Sequence, residues 1–405
     1  MFETMGKRRY AMPLVAIIAV FCVMSLVVYP ILNATPKNIP FALLSLDEGA
    51  KTPAGSVNMG DALVENFSAG LPVAEGQESP IAFTVLDSQE ALDEAMENNE
   101  YYGAIVIPAN FTVDTLAAKQ AESQAALEQA QALQAAQAQL GADPTAAPTG
   151  AAPTGAASTD AVTAPSLTVL INPGKNAMVA STMQSALTTM FYANGIKAEF
   201  ETVNSVDIGG GAMSSMMSGQ MLIMPFVMMT LVASMLLFFT MRPAKDASRS
   251  AKYKAFGGQA AYAVVLSLLV AAAAIAIVTW FGGMNLPVGN AVIFLWIASF
   301  CMMLLFVGAL DIAAPLGIVI VLLVFGCGMS IAMLAPEMLP DLWRNFIYPW
   351  VPQHFVGEGL RSIIYRGDGA VNASTLPLVI TGCVGLLLLG LAGLIPGSKQ
   401  KSATE

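Results

Sequence analysis

Charge is scarce in this sequence. Only 11% of its 405 residues are Asp, Glu, Lys or Arg, against 56% hydrophobic residues. Soluble domains carry about 25% charged residues, so the composition points to a membrane protein. Histidine is scarcer still, with a single one, His354. That excludes a zinc centre, which needs three or four ligands, and a nucleophilic triad there lacks its other members. The four cysteines, Cys22, Cys301, Cys327 and Cys383, all fall in apolar runs. They read as small packing residues rather than a secreted disulfide framework. No G-x-x-x-x-G-K-[ST] loop occurs; "NPGKN" has Gly174 and Lys175 but neither the upstream Gly nor the Ser/Thr. Nothing in the chain is expected to cradle nucleotide phosphates, and no catalytic set is recognisable, so neither an enzyme nor a bound cofactor is expected.

What charge there is lies unevenly. Between Thr35 and Met217 there are 20 acids against 5 lysines and no arginine, leaving 8 acids and 13 bases elsewhere. An acidic segment of this kind argues against a nucleic-acid partner.

Six runs have the ~20 apolar residues that a membrane helix needs: Ala11–Leu32, Gly219–Met241, Gln259–Phe281, Gly289–Leu310, Ile312–Leu334 and Thr375–Pro396. Asp311 separates the fourth from the fifth, and a hairpin there moves its carboxylate to an interface. The first run is longer than a signal-peptide core, which favours an uncleaved anchor. Basic clusters mark the cytoplasmic side: Lys7, Arg8 and Arg9; Arg242, Lys245, Arg249, Lys252 and Lys254; Lys399 and Lys401. All three fall on one side if both termini are cytoplasmic, so residues 34–217 are expected outside the cell membrane. The expected fold is a polytopic α-helical membrane protein with six transmembrane helices and a small extracytoplasmic α/β domain inserted between spans 1 and 2. Its parts are 1–33 (N-terminus and first span), 34–217 (outer domain) and 218–405 (membrane domain).

Within the outer domain, "IPFALLSLD", "IAFTVLD", "YGAIVIP" and "SLTVLINP" read as strands. Helices are expected near Val57–Phe67, from Ser88 as cap to about Asn99, and over Ala177–Asn194. Between the third and fourth strands come an Ala/Gln-rich helix, about 111–140, and a Pro/Thr/Gly linker, about 141–165. The helix reads as a solvated projection, or else as a self-associating coil.

Three polar or unusual clusters are candidate sites. Arg242, Lys245, Arg249 and Lys252 recur at spacings that align them on one helical face; one reading of this basic loop, 242–258, is contact with anionic membrane lipids. In an outer segment, about 335–374, His354, Glu358 and Arg361 share a helical face. Pro349 and Pro352 break the chain before them, and Gly357 and Gly359 weaken helix continuity. A short re-entrant or interfacial turn is expected, with an architectural role ahead of gating. Finally, Met213, Met217, Met221, Met224 and Met228 form a stripe on the second span. Core packing is one explanation; a flexible lining for an apolar substrate is the other, since methionine adapts to irregular partners. Copper fits poorly, because no His or Cys accompanies the thioethers outside.

The segments "IPFALLSLDEGAKTPAGSVNMGDALVENF", "YYGAIVIPANFT", "INPGKNAMVASTMQSAL" and "MLAPEMLPDLWRNFIYPWVPQHFVGEGLRSIIYRG", ordered around one early span and five later ones, resemble the type-2 ABC transporter permeases. Within these they resemble the YhgE/Pip-like (phage infection protein-like) branch. The Ala/Gln helix and the Pro/Thr linker match no family feature. The resemblance implies an exporter subunit, paired as a homodimer or with a paralogous permease, that moves an amphipathic or apolar substrate outward. ATP would act through a separate nucleotide-binding ATPase subunit, and the basic loop stands where such permeases carry their coupling helix. A non-transporting scaffold or surface receptor, docking a secretion apparatus or phage, is the alternative.

Overall fold

A computed structural model describes residues 22, 25, 28–53, 55–68, 79–140, 165–193, 195–204, 212–244, 247–281 and 283–395. They divide into two units. One comprises Pro40–Asn172 and Ala180–Val203, the other Met1–Ile39, Pro173–Val179 and Asn204–Glu405.

The first unit is α/β. In chain order it holds β1 (Ile39–Ser45), a hairpin of β2 (Ala50–Thr52) and β3 (Gly55–Val57), α1 (Met59–Ser68) and β4 (Ile81–Val85). Then follow α2 (Gln89–Glu97), β5 (Gly103–Ile107), α3 (Phe111–Leu140), β6 (Leu167–Ile171), α4 (Pro173–Ala193) and β7 (Ala198–Thr202). The sheet order is β4-β1-β5-β6-β7. Strand β1 runs parallel to β5, with Leu43 opposite Ile105, while β5 pairs antiparallel with β6 and β6 parallel with β7.

The central strands read as unbroken apolar runs because both faces are covered. Leu92 and Met96 of α2 pack with Ala42, Leu44 and Ala104. Phe67 of α1 meets Phe83 and Phe191, with ring centroids 5.6 and 6.3 Å apart. Ser88 caps α2 as expected, accepting from the Ala91 N–H at 3.2 Å. The β2–β3 hairpin and β7 are additions to the four expected strands. Strand β7 carries exposed Glu199 and Glu201, charges that suit an edge strand and hide it from a search for apolar runs. The linker expected over 141–165 lies outside the described residues, apart from its last position.

The second unit is helical: α5 (Ala212–Met241), α6 (Arg249–Ala276) continued by a π-turn at Ile277–Phe281, α7 (Val288–Ile312), α8 (Ala314–Met333), α9 (Pro352–Tyr365) and α10 (Thr375–Leu394). Among the described residues, four stretches are long and apolar enough to cross a membrane: Leu222–Met241, Arg249–Phe281, Val288–Ile312 and Thr375–Leu394. The chain is thus a mostly helical protein with the helices of a membrane protein. Of the six expected spans, the first falls mostly outside the described residues. The fifth is represented by Gly317–Ala332, a shorter apolar stretch.

The break between α7 and α8 falls at Ala313 (φ −154°, ψ 108°) rather than at Asp311. Pro315 explains the position. Continuing the helix would drive its ring into the carbonyl four residues back, that of Asp311. Asp311 therefore stays in the last turn of α7. Helices α7 and α10 approach closely through small residues: a Cβ on Gly308 would lie 2.5 Å from the Gly385 carbonyl oxygen, and one on Gly382 2.8 Å from Cys301 Sγ. Such contacts replace the hydrophobic drive that is missing between helices in lipid.

Candidate functional site

Three features of the helical unit are candidates, and the sequence pointed to part of each. The first is an open groove of about 810 Å³ between α5 and α6. Its walls include Met228, Val232, Leu236, Tyr262, Leu266 and Leu269. They lie on α5 and α6 at spacings of three to four residues, so each helix presents one stripe. Only Thr240 and Tyr262 bring polar atoms to this wall. Of the methionine stripe, Met224 and Met228 are exposed, and Met228 lines the groove beside Met229 and Met241. The side chains of Met213, Met217 and Met221 lie outside the described residues.

The second feature is the polar cluster on α9. Here the expected turn is corrected, because Pro352–Tyr365 is one continuous helix of 14 residues. Pro352 starts the helix, where a missing N–H costs nothing. The glycines serve contact instead of breaking it. A Cβ on Gly359 would strike the Phe294 ring of α7, and Val356, Leu360 and Ile363 are buried on the same side.

His354 and Glu358 come together as the spacing implied, with Nε2 2.9 Å from Oε1. The approach is close but poorly aligned, since Nε2 completes no hydrogen bond. Nδ1 lies 3.1 Å from the Tyr348 carbonyl oxygen, which can only accept, so that nitrogen donates. The Tyr348 ring stacks on the imidazole at 3.7 Å, and its hydroxyl donates to Glu358 Oε1 at 3.3 Å. Burial opposes ionisation of Glu358, yet His354, Arg361 and Tyr348 together hold its carboxyl below the usual range. Burial, then the Glu358 charge, pushes the Tyr348 phenol up. The Tyr348–Glu358 bond spans a loop that no helical spacing predicts. Among the described residues no group of three or more His, Cys, Asp or Glu could hold a metal.

The third feature is the basic connector. Its four cations do not share one helical face, because α5 ends at Met241 and α6 starts at Arg249. Pro243 is the second residue after α5, and Ser248 caps α6 by accepting from the Ala251 N–H at 3.3 Å. Arg242 is exposed, its guanidinium 4.9 Å above the Phe238 ring. Lys245 lies outside the described residues. Arg249 is exposed, but Lys252 is 8% exposed and its Nζ donates to the Ile395 carbonyl at 2.9 Å. Its neighbour Tyr253 donates to the Gly390 carbonyl at 3.1 Å. These bonds pin the start of α6 to the end of α10, where orphan carbonyls favour a cation.

No curated protein and no solved structure matches the sequence. A family model described as "Protein of unknown function (DUF3533)" matches residues 10–370, and the chain belongs to that family.

Proposed function

We propose that the chain is the permease subunit of an ABC-type exporter, moving an amphipathic or apolar substrate outward with a separately encoded ATPase. The observation that carries this reading is the α5–α6 groove. It is concave, walled by apolar side chains and fringed by three methionines, and methionine side chains adapt to irregular apolar ligands. In this reading the chain crosses the plasma membrane six times, with both termini and the 242–248 connector in the cytoplasm and the α/β unit outside. Two copies, or this chain and a paralogous permease, complete the pathway.

The Lys252–Ile395 bond narrows the ATPase contact. Arg249 and Lys254 are exposed on the first turns of α6, whereas Lys252 is engaged within the chain. Purifying the full chain from its native membranes should bring down a nucleotide-binding subunit, with ATP hydrolysis stimulated by apolar substrates. A chain that purifies alone, in membranes where its transport persists without ATP, would defeat the proposal. Cysteine placed at Ser123 should react with an impermeant reagent on intact cells, and cysteine at Ser248 should not.

A scaffold or receptor role is favoured by one observation, the largely exposed face of α3, with Leu127 62% and Leu133 60% exposed. Deleting 120–165 separates the two: transport should survive that deletion, and docking of a partner should not.

A further inference from the structure

Gln259 on α6 and Asp311 on α7 both leave buried side-chain atoms without a hydrogen bond. Gln259 is 1% exposed. Neither its Nε2 nor its Oε1 makes a hydrogen bond, and buried Asp311 Oδ2 makes none either. The Gln259 side chain lies within reach of the Asp311 carboxyl, and the Arg242 guanidinium is a nearby positive charge that makes no direct ion pair with it. Native interiors rarely leave such groups unmatched. Gln259 lies ten residues into α6, about 15 Å along the helix, so the polar pair is set among apolar neighbours.

Counting donors and acceptors identifies the ligand. A carboxylate only accepts, whereas an amide brings two N–H donors and one oxygen acceptor. Ionised Asp311 can take an N–H from Gln259 but leaves Oε1 with no donor. Protonated Asp311 completes the pair: its O–H donates to Oε1 while Nε2 donates to the other carboxyl oxygen. One proton thus matches all three unbonded atoms. A metal ion fits less well, since a hard cation takes six or more oxygens and this pair offers too few.

We propose that Asp311 is a proton-binding site, with Gln259 the partner of its carboxyl form and Arg242 the partner of its carboxylate form. Uptake moves one proton from solvent onto a carboxylate oxygen, and release returns it. Asp311 is partly exposed although Oδ2 is buried, so one side of the residue is open for a proton to reach it. Arg242 is the first residue beyond α5, so the proton decides whether the start of the connector is tied to α7.

The surrounding charges are few. Among the described residues Asp311 is the only acid on α5, α6, α7, α8 or α10. Helices α8 and α10 carry no charged side chain, and α6 contributes Arg249, Lys252 and Lys254. Lys252 is held by the Ile395 carbonyl. Helix α9 meets α7 near Phe294, about 25 Å along α7 from Asp311. Its His354, Glu358, Arg361 and the following Arg366 are therefore remote.

The test is infrared spectroscopy of the full chain in lipid nanodiscs while pH is varied. A protonated-carboxyl stretch should appear in the wild type and vanish in Asp311→Asn, which preserves side-chain shape. Gln259→Leu should move that stretch to the frequency of an unbonded carboxyl. Arg242→Gln should extend it to higher pH by removing the competing cation. Identical wild-type and Asp311→Asn difference spectra overturn the site. An unmoved frequency in Gln259→Leu overturns the pairing, and an unmoved pH dependence in Arg242→Gln overturns the exchange. Should Asp311→Asn fail to fold, the other two variants carry the test by themselves.

Discussion

Replacing Asp47 with alanine should unfasten the α/β unit at one point. Asp47 follows β1 and is 8% exposed. Its carboxylate accepts from the N–H of Gly60 at 3.0 Å, the N–H of Thr112 at 3.1 Å and the Thr112 hydroxyl. A longer bond at 3.4 Å comes from Gly49. Gly60 and Thr112 are each the second residue of a helix, α1 and α3, so one carboxylate satisfies the orphan donors of two helix starts. Thr112 Oγ1 in turn accepts from the Met59 N–H at 2.7 Å. A Cβ on Gly60 would lie 2.6 Å from that of Asp47, so the approach depends on glycine.

Losing a helix cap costs about 1 kcal/mol, up to about 2, and here two are lost. The buried Thr112 hydroxyl, left without an acceptor for its proton, adds about 1–3 kcal/mol. The expected total is about 3–7 kcal/mol, or about two to five orders of magnitude in local opening. Hydrogen exchange of the full chain should show that loss in the first turns of α1 and α3, with the helical unit unchanged. The sign with pH follows from the carboxyl. Burial would raise its pKa, but the Thr112 hydroxyl and the amides of Thr112, Gly60 and Gly49 hold it below the ordinary 3.8. This stabilisation is present above the unfolded-state value and is lost as pH falls through the lower folded one. Asp47→Asn should remove that acid dependence. Exchange within threefold of wild type in Asp47→Ala would refute the two-helix clamp.

Gly385→Val should cost at least 3 kcal/mol, because its side chain would collide with the Leu304 backbone of α7; overpacking costs about 1–3 kcal/mol even where neighbours can shift. Normal thermal unfolding in detergent would disprove the close α7–α10 contact. Glu358→Gln should lower folded yield modestly, by about 1 kcal/mol, since the carboxylate is 44% exposed and its pairing is screened; full abundance with transport abolished would make the cluster functional instead. Arg249→Glu should abolish ATPase co-purification while leaving the protein abundant, whereas Lys252→Glu should destabilise it before any partner is considered. The reverse pattern would return the contact to Lys252.

Much of the architecture could be read from local pattern. Ser88 announces its helix through cap chemistry, and the apolar strands announce themselves through burial on both faces. Strand β7 was missed because its stability comes from its partner β6, not from its own composition. The helix through Gly357 and Gly359 was missed for a related reason. Propensity counts glycine as a cost of about 1 kcal/mol, but tight packing against Phe294 rewards the absence of a side chain.

Site chemistry was less legible, and the basic connector shows why. Helical spacing turns a list of lysines and arginines into a face only while the helix is continuous. Pro243 and the Ser248 cap end that continuity, and both were present in the sequence. The fate of Lys252 was not. Its partner is the carbonyl of Ile395, a group 143 residues away that is offered because α10 ends there. The same limit hid Gln259 from Asp311 and Tyr348 from Glu358. In each case the polar residue was visible, and its meaning lay in which group the fold brought beside it. Positive charge near a span therefore carries two messages that sequence alone superimposes: Arg249 is exposed to solvent, whereas Lys252 is consumed in closing the bundle.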